Sequence, residues 1–185
     1  NQGEESLRAT PIPPRRADGF LLGASVDSAR LAASLDWNFV FAAHLNGDKN
    51  LLQEVLTNWR ELSRREVIVA VQVIVAQDAA SAADLAKQVE VWGVELANGQ
   101  RVTVGSESQA AAFARQAGSP PTRIERRESS LLFGTAEEVK AQLDALQAQW
   151  GIDEFIIDTP IAEGRARLAS LGLLAQAHLG AEVTP

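Results

Sequence analysis

The chain has 185 residues, 46% of them hydrophobic, enough for one domain around a sizeable core. Its 24 acidic and 17 basic residues give a formal charge of −7, which disfavours the broad phosphate contacts of nucleic-acid binding. Cysteine is absent, which excludes disulfides, thiolate catalysis and Cys-ligated zinc or iron–sulfur centres and leaves small ligands as the partners to look for.

The start, Asn1-Gln2-Gly3-Glu4-Glu5, has neither the basic nor the apolar region of a targeting signal. No run approaches the ~18 apolar residues that cross a bilayer, so the reading is of a soluble, cytoplasmic chain with no membrane partner. The sequence does not open with Met, which leads us to expect a processed or truncated product.

Residues 1–18 carry Pro11, Pro13, Pro14, Arg15 and Arg16 and predict an extended linker. Residues 19–185 then alternate short apolar runs with helical ones. A strand at Phe20-Leu21-Leu22 leads to a helix over about 27–35. A second strand, Asn38 to Ala42, breaks at Asn46-Gly47-Asp48 and precedes a helix bearing Leu51, Leu52, Val55, Leu56, Trp59 and Leu62 at helical spacing. The third strand, Val67 to Val75, is so apolar and β-branched that it should be buried on both faces.

Residues 76–130 interrupt this rhythm and read as an insertion. Within it Ser81 to Leu96 predicts a helix, Asn98-Gly99 a hairpin turn before the alternating Arg101-Val102-Thr103-Val104, and 107–117 another helix. Arg123 to Glu128 mixes charges and reads as a solvated helix face. The rhythm resumes at Leu131-Leu132-Phe133. A helix follows, capped by Thr135 and ended by Gly151, with Ala136, Val139, Leu143, Leu146 and Trp150 on one face. Strand 155–157 comes next, then a helix over about 162–179 with Leu168, Leu171, Leu174 and Ala175 at core-facing spacing.

Four βα units with short connections predict a parallel sheet, with strands 20–22, 38–42, 67–75 and 154–157 neighbouring in that order and helices outside. The fold class is therefore α/β. Four units are half of a (β/α)8 TIM-type barrel, and an open half would expose an apolar inner face and two strand edges. We expect a second chain, a second copy or further protein to cover that face.

Gly23-Ala24-Ser25-Val26-Asp27-Ser28 joins the first strand to its helix. Free N–H groups there suit an anion, with Gly23 allowing close approach and Ser25 and Ser28 donating hydroxyls; an ordinary N-cap is the plainer reading of the same residues. His44 follows the second strand at the end where barrel enzymes build their sites, and a loop histidine bonded to backbone is its alternative. Asp153 and Glu154 precede their strand and belong to the opposite, stabilising end, whereas Asp158 and Thr159 follow it. Arg165 and Arg167 sit at the unfavourable end of the last helix and call for a compensating anion or carboxylate; His178, near its other end, favours the helix dipole. Two distant His and no Cys argue against a metal cage.

Phe20 to Ala33 resembles the W-L-L-G-S-S-x-x-S-A-x-L-A-A segment of luciferase-like, flavin-dependent monooxygenases. Asn38 to His44 is similar to that family's P-F-A-F-A-x-H strand, Phe133 to Val139 to its V-G-T-P-E-x-V, Gly151 to Phe155 to G-A-D-E-L, and Arg167 to Ala175 to R-L-R-S-x-x-L-L-A. Phe20 replaces the usual Trp, Ala24 the usual first Ser and Leu45 the usual Phe. The resemblance implies a (β/α)8 barrel binding reduced FMN, of which this chain supplies the last four βα units. It places Gly23, Ala24, Ser25 and Ser28 at the flavin phosphate, His44 on the flavin or substrate side as a catalytic candidate, and Asp158 near the flavin. It implies oxygen insertion from O2 into a small organic substrate, a flavin reductase as a supplier of reduced FMN, and a dimer. The alternatives are a non-catalytic flavin-binding half-barrel or subunit that needs a partner chain, and a small phosphate-binding module unrelated to flavin.

Overall fold

The computed structural model describes residues 17–44, 47–127 and 130–180, so the linker expected over 1–18 lies almost wholly outside the described residues. The main sheet begins with β1 (Phe20–Gly23), followed by helix α1 (Val26–Ser34), β2 (Asn38–Ala42), α2 (Lys49–Leu62) and β3 (Ile68–Val75). The excursion after β3 comprises α3 (Ala79–Ala86), β4 (Val91–Leu96), β5 (Arg101–Val104), α4 (Glu107–Gln116) and β6 (Pro121–Arg127). The chain returns through β7 (Leu132–Gly134), α5 (Ala136–Trp150), β8 (Glu154–Asp158) and α6 (Gly164–Leu179).

Five strands form one parallel sheet in which β1 pairs β2, β2 pairs β3, and β3 pairs both β8 and β7. The expected neighbour order of 20–22, 38–42, 67–75 and 154–157 is the observed one. β3 is the hub: its first five residues pair with β8 and its last three with β7. Every residue of β3 except Gln72 is buried, as its β-branched composition requires. The described residues form an open sheet rather than a closed barrel.

Register alternation gives the sheet two unlike faces. Leu21, Phe39, Phe41, Val69, Val71, Phe155 and Ile157 pack against the helices in the main core. Helix α2 contributes Leu52, Val55, Leu56 and Trp59 to that core, and the Trp59 ring lies 5.6 Å from that of Phe39. Ala29 and Ala32 are the fully buried residues of α1, their small side chains permitting close approach. The other face carries Phe20, Leu22, Val40, Ala42, Ile68, Ala70 and Ile156. Val40, Ile68 and Ala70 cluster there, but Phe20, Leu22 and Ile156 stay 56%, 55% and 43% exposed.

Three expectations are corrected. The helix expected over 81–96 ends at Ala86, and Val91–Leu96 is β4, because Val91, Gly93 and Val94 are buried between two antiparallel partners. Arg123 to Arg127 lies in β6, not on a helix: its backbone completes the ladder to β4 while its charges stay at the surface. In α6, Leu174 packs on the core as expected, but Leu168, Leu171 and Ala175 are exposed, Leu168 to 72%, and Ser170 and Leu173 take the core side beside Leu174. The Asn98-Gly99 turn does join β4 to antiparallel β5, with Gly99 at φ 84°. The three-stranded sheet β5-β4-β6 buries its own small core of Val94, Leu96, Ala110 and Ala114.

Candidate functional site

The parallel strands end together where β1 reaches Gly23, β2 reaches Ala42 and β8 reaches Asp158, and chemistry-bearing side chains gather at this end. Ser25 N-caps α1: its hydroxyl accepts the Ser28 N–H at 3.2 Å and shares a 2.9 Å hydrogen bond with the Ser28 hydroxyl. A Cβ on Gly23 would lie 2.4 Å from Ser28 Cβ, so glycine here makes room for Ser28 itself. The loop is thus a helix cap with two adjacent hydroxyls at the positive end of a helix dipole, an arrangement that can turn toward an anion. Asp27 is paired with Arg30 at 3.6 Å, which draws its carboxylate to the helix surface.

His44 follows β2 and ties back to the sheet through its backbone N–H, which donates to Ala70 O at 3.2 Å. Its Nδ1 is buried with no partner among the described residues, and so is the hydroxyl of Thr159 just beyond β8. His44 and Gln72 line one cleft of about 280 Å³, whose far wall is the excursion, through Val89, Glu90 and Thr103 to Gly105. Gln72 Nε2 donates to Asp158 Oδ2 at 2.9 Å, its register partner on β8. A larger cleft of about 550 Å³ on the helix side of His44 runs past Leu52, Val71 and Leu146 to Trp150.

The structure therefore brings His44, Gln72 and Asp158 to one end of the inner face, with Ser25 and Ser28 at the same end of the neighbouring strand. Sequence reading missed Gln72, although it was signalled as the one polar residue inside the Val67 to Val75 run. Asp153 serves the opposite end, where its carboxylate accepts the Val67 N–H at 2.8 Å. Arg167 is compensated by a carbonyl, its Nε donating to Ile161 O at 2.7 Å. The negative group at that helix start is Glu163, whose carboxylate accepts the N–H groups of Arg165 and Ala166 and is held below its usual pKa by them. No three His, Asp or Glu residues gather as a metal-ligand set among the described residues, and no described helix is long and apolar enough to cross a membrane.

Over this half-barrel sheet, with its helix-cap loop and polar cluster at the strand ends, the chain is similar to luciferase-like flavin-dependent monooxygenases of about twice its length. It is 33% identical over 181 residues to the N-acetyl-S-alkylcysteine monooxygenase of Bacillus subtilis, a match that takes in 96% of this chain and 54% of that protein. Its fold matches apo-MsnO8 with a TM-score of 0.62 at 22% identity, over 95% of this chain and 54% of the other. It also matches the oxygenating constituent of 3,6-diketocamphane monooxygenase of Pseudomonas putida, solved in complex with FMN, with a TM-score of 0.54 at 14% identity, over 90% and 48% of the two chains. The chain spans about half the length of these relatives. No family model matches it.

Proposed function

We propose that this chain is the C-terminal half of an FMN-dependent monooxygenase that inserts one oxygen atom of O2 into a small organic substrate. The observation that carries this reading is the Ser25–Ser28 hydroxyl pair on the N-terminus of α1, seated over Gly23 at the functional end of the sheet. These residues would hold the flavin phosphate: the two hydroxyls exchange their mutual bond for bonds to phosphate oxygens, assisted by the first-turn N–H groups. Bound reduced FMN would supply the oxygen activation. The protein's part is to anchor the phosphate, to line the pocket with the apolar rows of Leu22, Val40, Ala42 and Ile156, and to keep water out. His44, whose buried Nδ1 has no partner among the described residues, would face the flavin or substrate.

The excursion over 76–130, read as an insertion in the barrel rhythm, roofs the cleft beside His44 and would shape substrate access. A separate flavin reductase fits this scheme as the source of reduced FMN, in the cytoplasm. The open inner face supports a second reading of the chain on its own: a flavin-binding half that needs a partner half-barrel or a second copy before it can act.

The test is FMN binding by the complete protein. Ser25→Ala with Ser28→Ala should weaken FMN by about 1–3 kcal/mol while leaving riboflavin, which lacks the phosphate, nearly unchanged. Equal loss for both ligands, or loss for neither, would return the pair to helix capping alone.

A further inference from the structure

We infer that Gln72 and Asp158 form the polar end of the substrate pocket and select substrates that present a positively charged or N–H-bearing group. This deepens the monooxygenase reading above and rests on it for the pocket's purpose. The inner rows below the pair are apolar, running through Leu22, Val40 and Ile68, then Ala42, Ala70 and Ile156. Gln72 breaks a strand whose other residues are all buried and apolar.

An ionised carboxylate only accepts hydrogen bonds, so the 2.9 Å contact with Asp158 Oδ2 fixes the Gln72 amide with its NH2 toward Asp158 and its carbonyl oxygen away. Two acceptors are left over, Gln72 Oε1 and Asp158 Oδ1. No described Lys or Arg forms an ion pair with Asp158. The cleft that Gln72 lines has no Lys or Arg in its described wall; its titratable groups are His44 and Glu90, and Glu90 takes both Arg126, at 3.6 Å, and the Trp92 indole N–H, at 3.0 Å. An acceptor-rich end to an apolar surface is complementary to a donor carried on an apolar body, and it repels a carboxylate in the same place.

The pair could instead serve only as a tie between β3 and β8, and the isosteric Asp158→Asn separates the two roles. It keeps an amide-to-amide bond across the strands but removes the charge. The experiment is calorimetric titration of the complete protein with hexylammonium and with hexanoate, probes of matched length and opposite charge, beside a parallel titration with FMN. The unmodified protein should bind hexylammonium at least about tenfold more tightly than hexanoate, the scale of one charge-assisted hydrogen bond. Asp158→Asn should bring the ratio to within about twofold, and Asp158→Lys should invert it. A ratio near one in the unmodified protein, or a preference that survives Asp158→Asn, overturns the inference. Failure of the unmodified protein to bind FMN overturns the flavin reading, whereas FMN binding without an ammonium preference overturns this inference alone.

Discussion

The backbone N–H of Val75, the last residue of β3, donates to the hydroxyl of Ser170 at 2.8 Å, across 95 positions of sequence. Ser170 is 2% exposed, so water has little access to either partner. Ser170→Ala should leave that N–H unsatisfied and cost about 1–3 kcal/mol of stability, read from urea unfolding. A loss well under that range would mean the N–H finds another acceptor.

Gly23→Ala tests the cap from beneath. The new methyl would stand 2.6 Å from Ser28 Oγ and must push that side chain out of its present position. We expect FMN affinity of the complete protein to fall about tenfold, comparable to losing a hydrogen bond to a charged group, with the far-ultraviolet circular dichroism unchanged. Unaltered FMN affinity would show that Ser28 need not sit where Gly23 lets it.

Glu163 gives α6 a pH-dependent start. The N–H of Arg165, then that of Ala166, favours its ionised form, so its folded pKa lies below the ordinary 4.5. A lowered carboxyl pKa stabilises the fold above the unfolded value, and that contribution disappears as pH falls through the folded one. Glu163→Gln keeps an acceptor but loses the charge. Its urea midpoint should lie below that of the unmodified protein at neutral pH and converge with it well below pH 4.5. A constant gap at both pH values would assign the effect to geometry rather than charge.

How far these features could be read in advance depended on where the information lay. The burial of β3 was legible because eight of the nine residues from Val67 to Val75 are apolar, most of them β-branched, and admit few other placements; the polar exception, Gln72, was not read as part of a site. The α5 boundaries were equally plain: Thr135 and Glu138 close a capping box, and Gly151 takes φ 58°. β6 was not legible, since Arg123, Arg126 and Arg127 are exposed and the segment is a strand only because β4 lies beside it. Periodicity likewise misassigned Leu168 and Leu171, because local spacing defines an apolar stripe without saying which neighbour covers it. The Gln72–Asp158 bond spans 86 positions, a distance at which local pattern carries no information.

The dual pairing of β3 has a kinetic corollary. Its N-terminal half must wait for β8, yet the chain between them is not one long floppy loop, because β4 finds β5 and β6 at short range and β7 brings the excursion back to Val75. Closing several small loops in succession spreads the entropy that one large loop would concentrate in a single step. During synthesis β1, β2 and β3 emerge before β8, and until Glu154–Asp158 arrives the stretch of β3 from Ile68 to Gln72 lacks its partner on that edge. That interval, rather than the finished fold, is when this chain is most open to mispairing with a neighbour of its own kind.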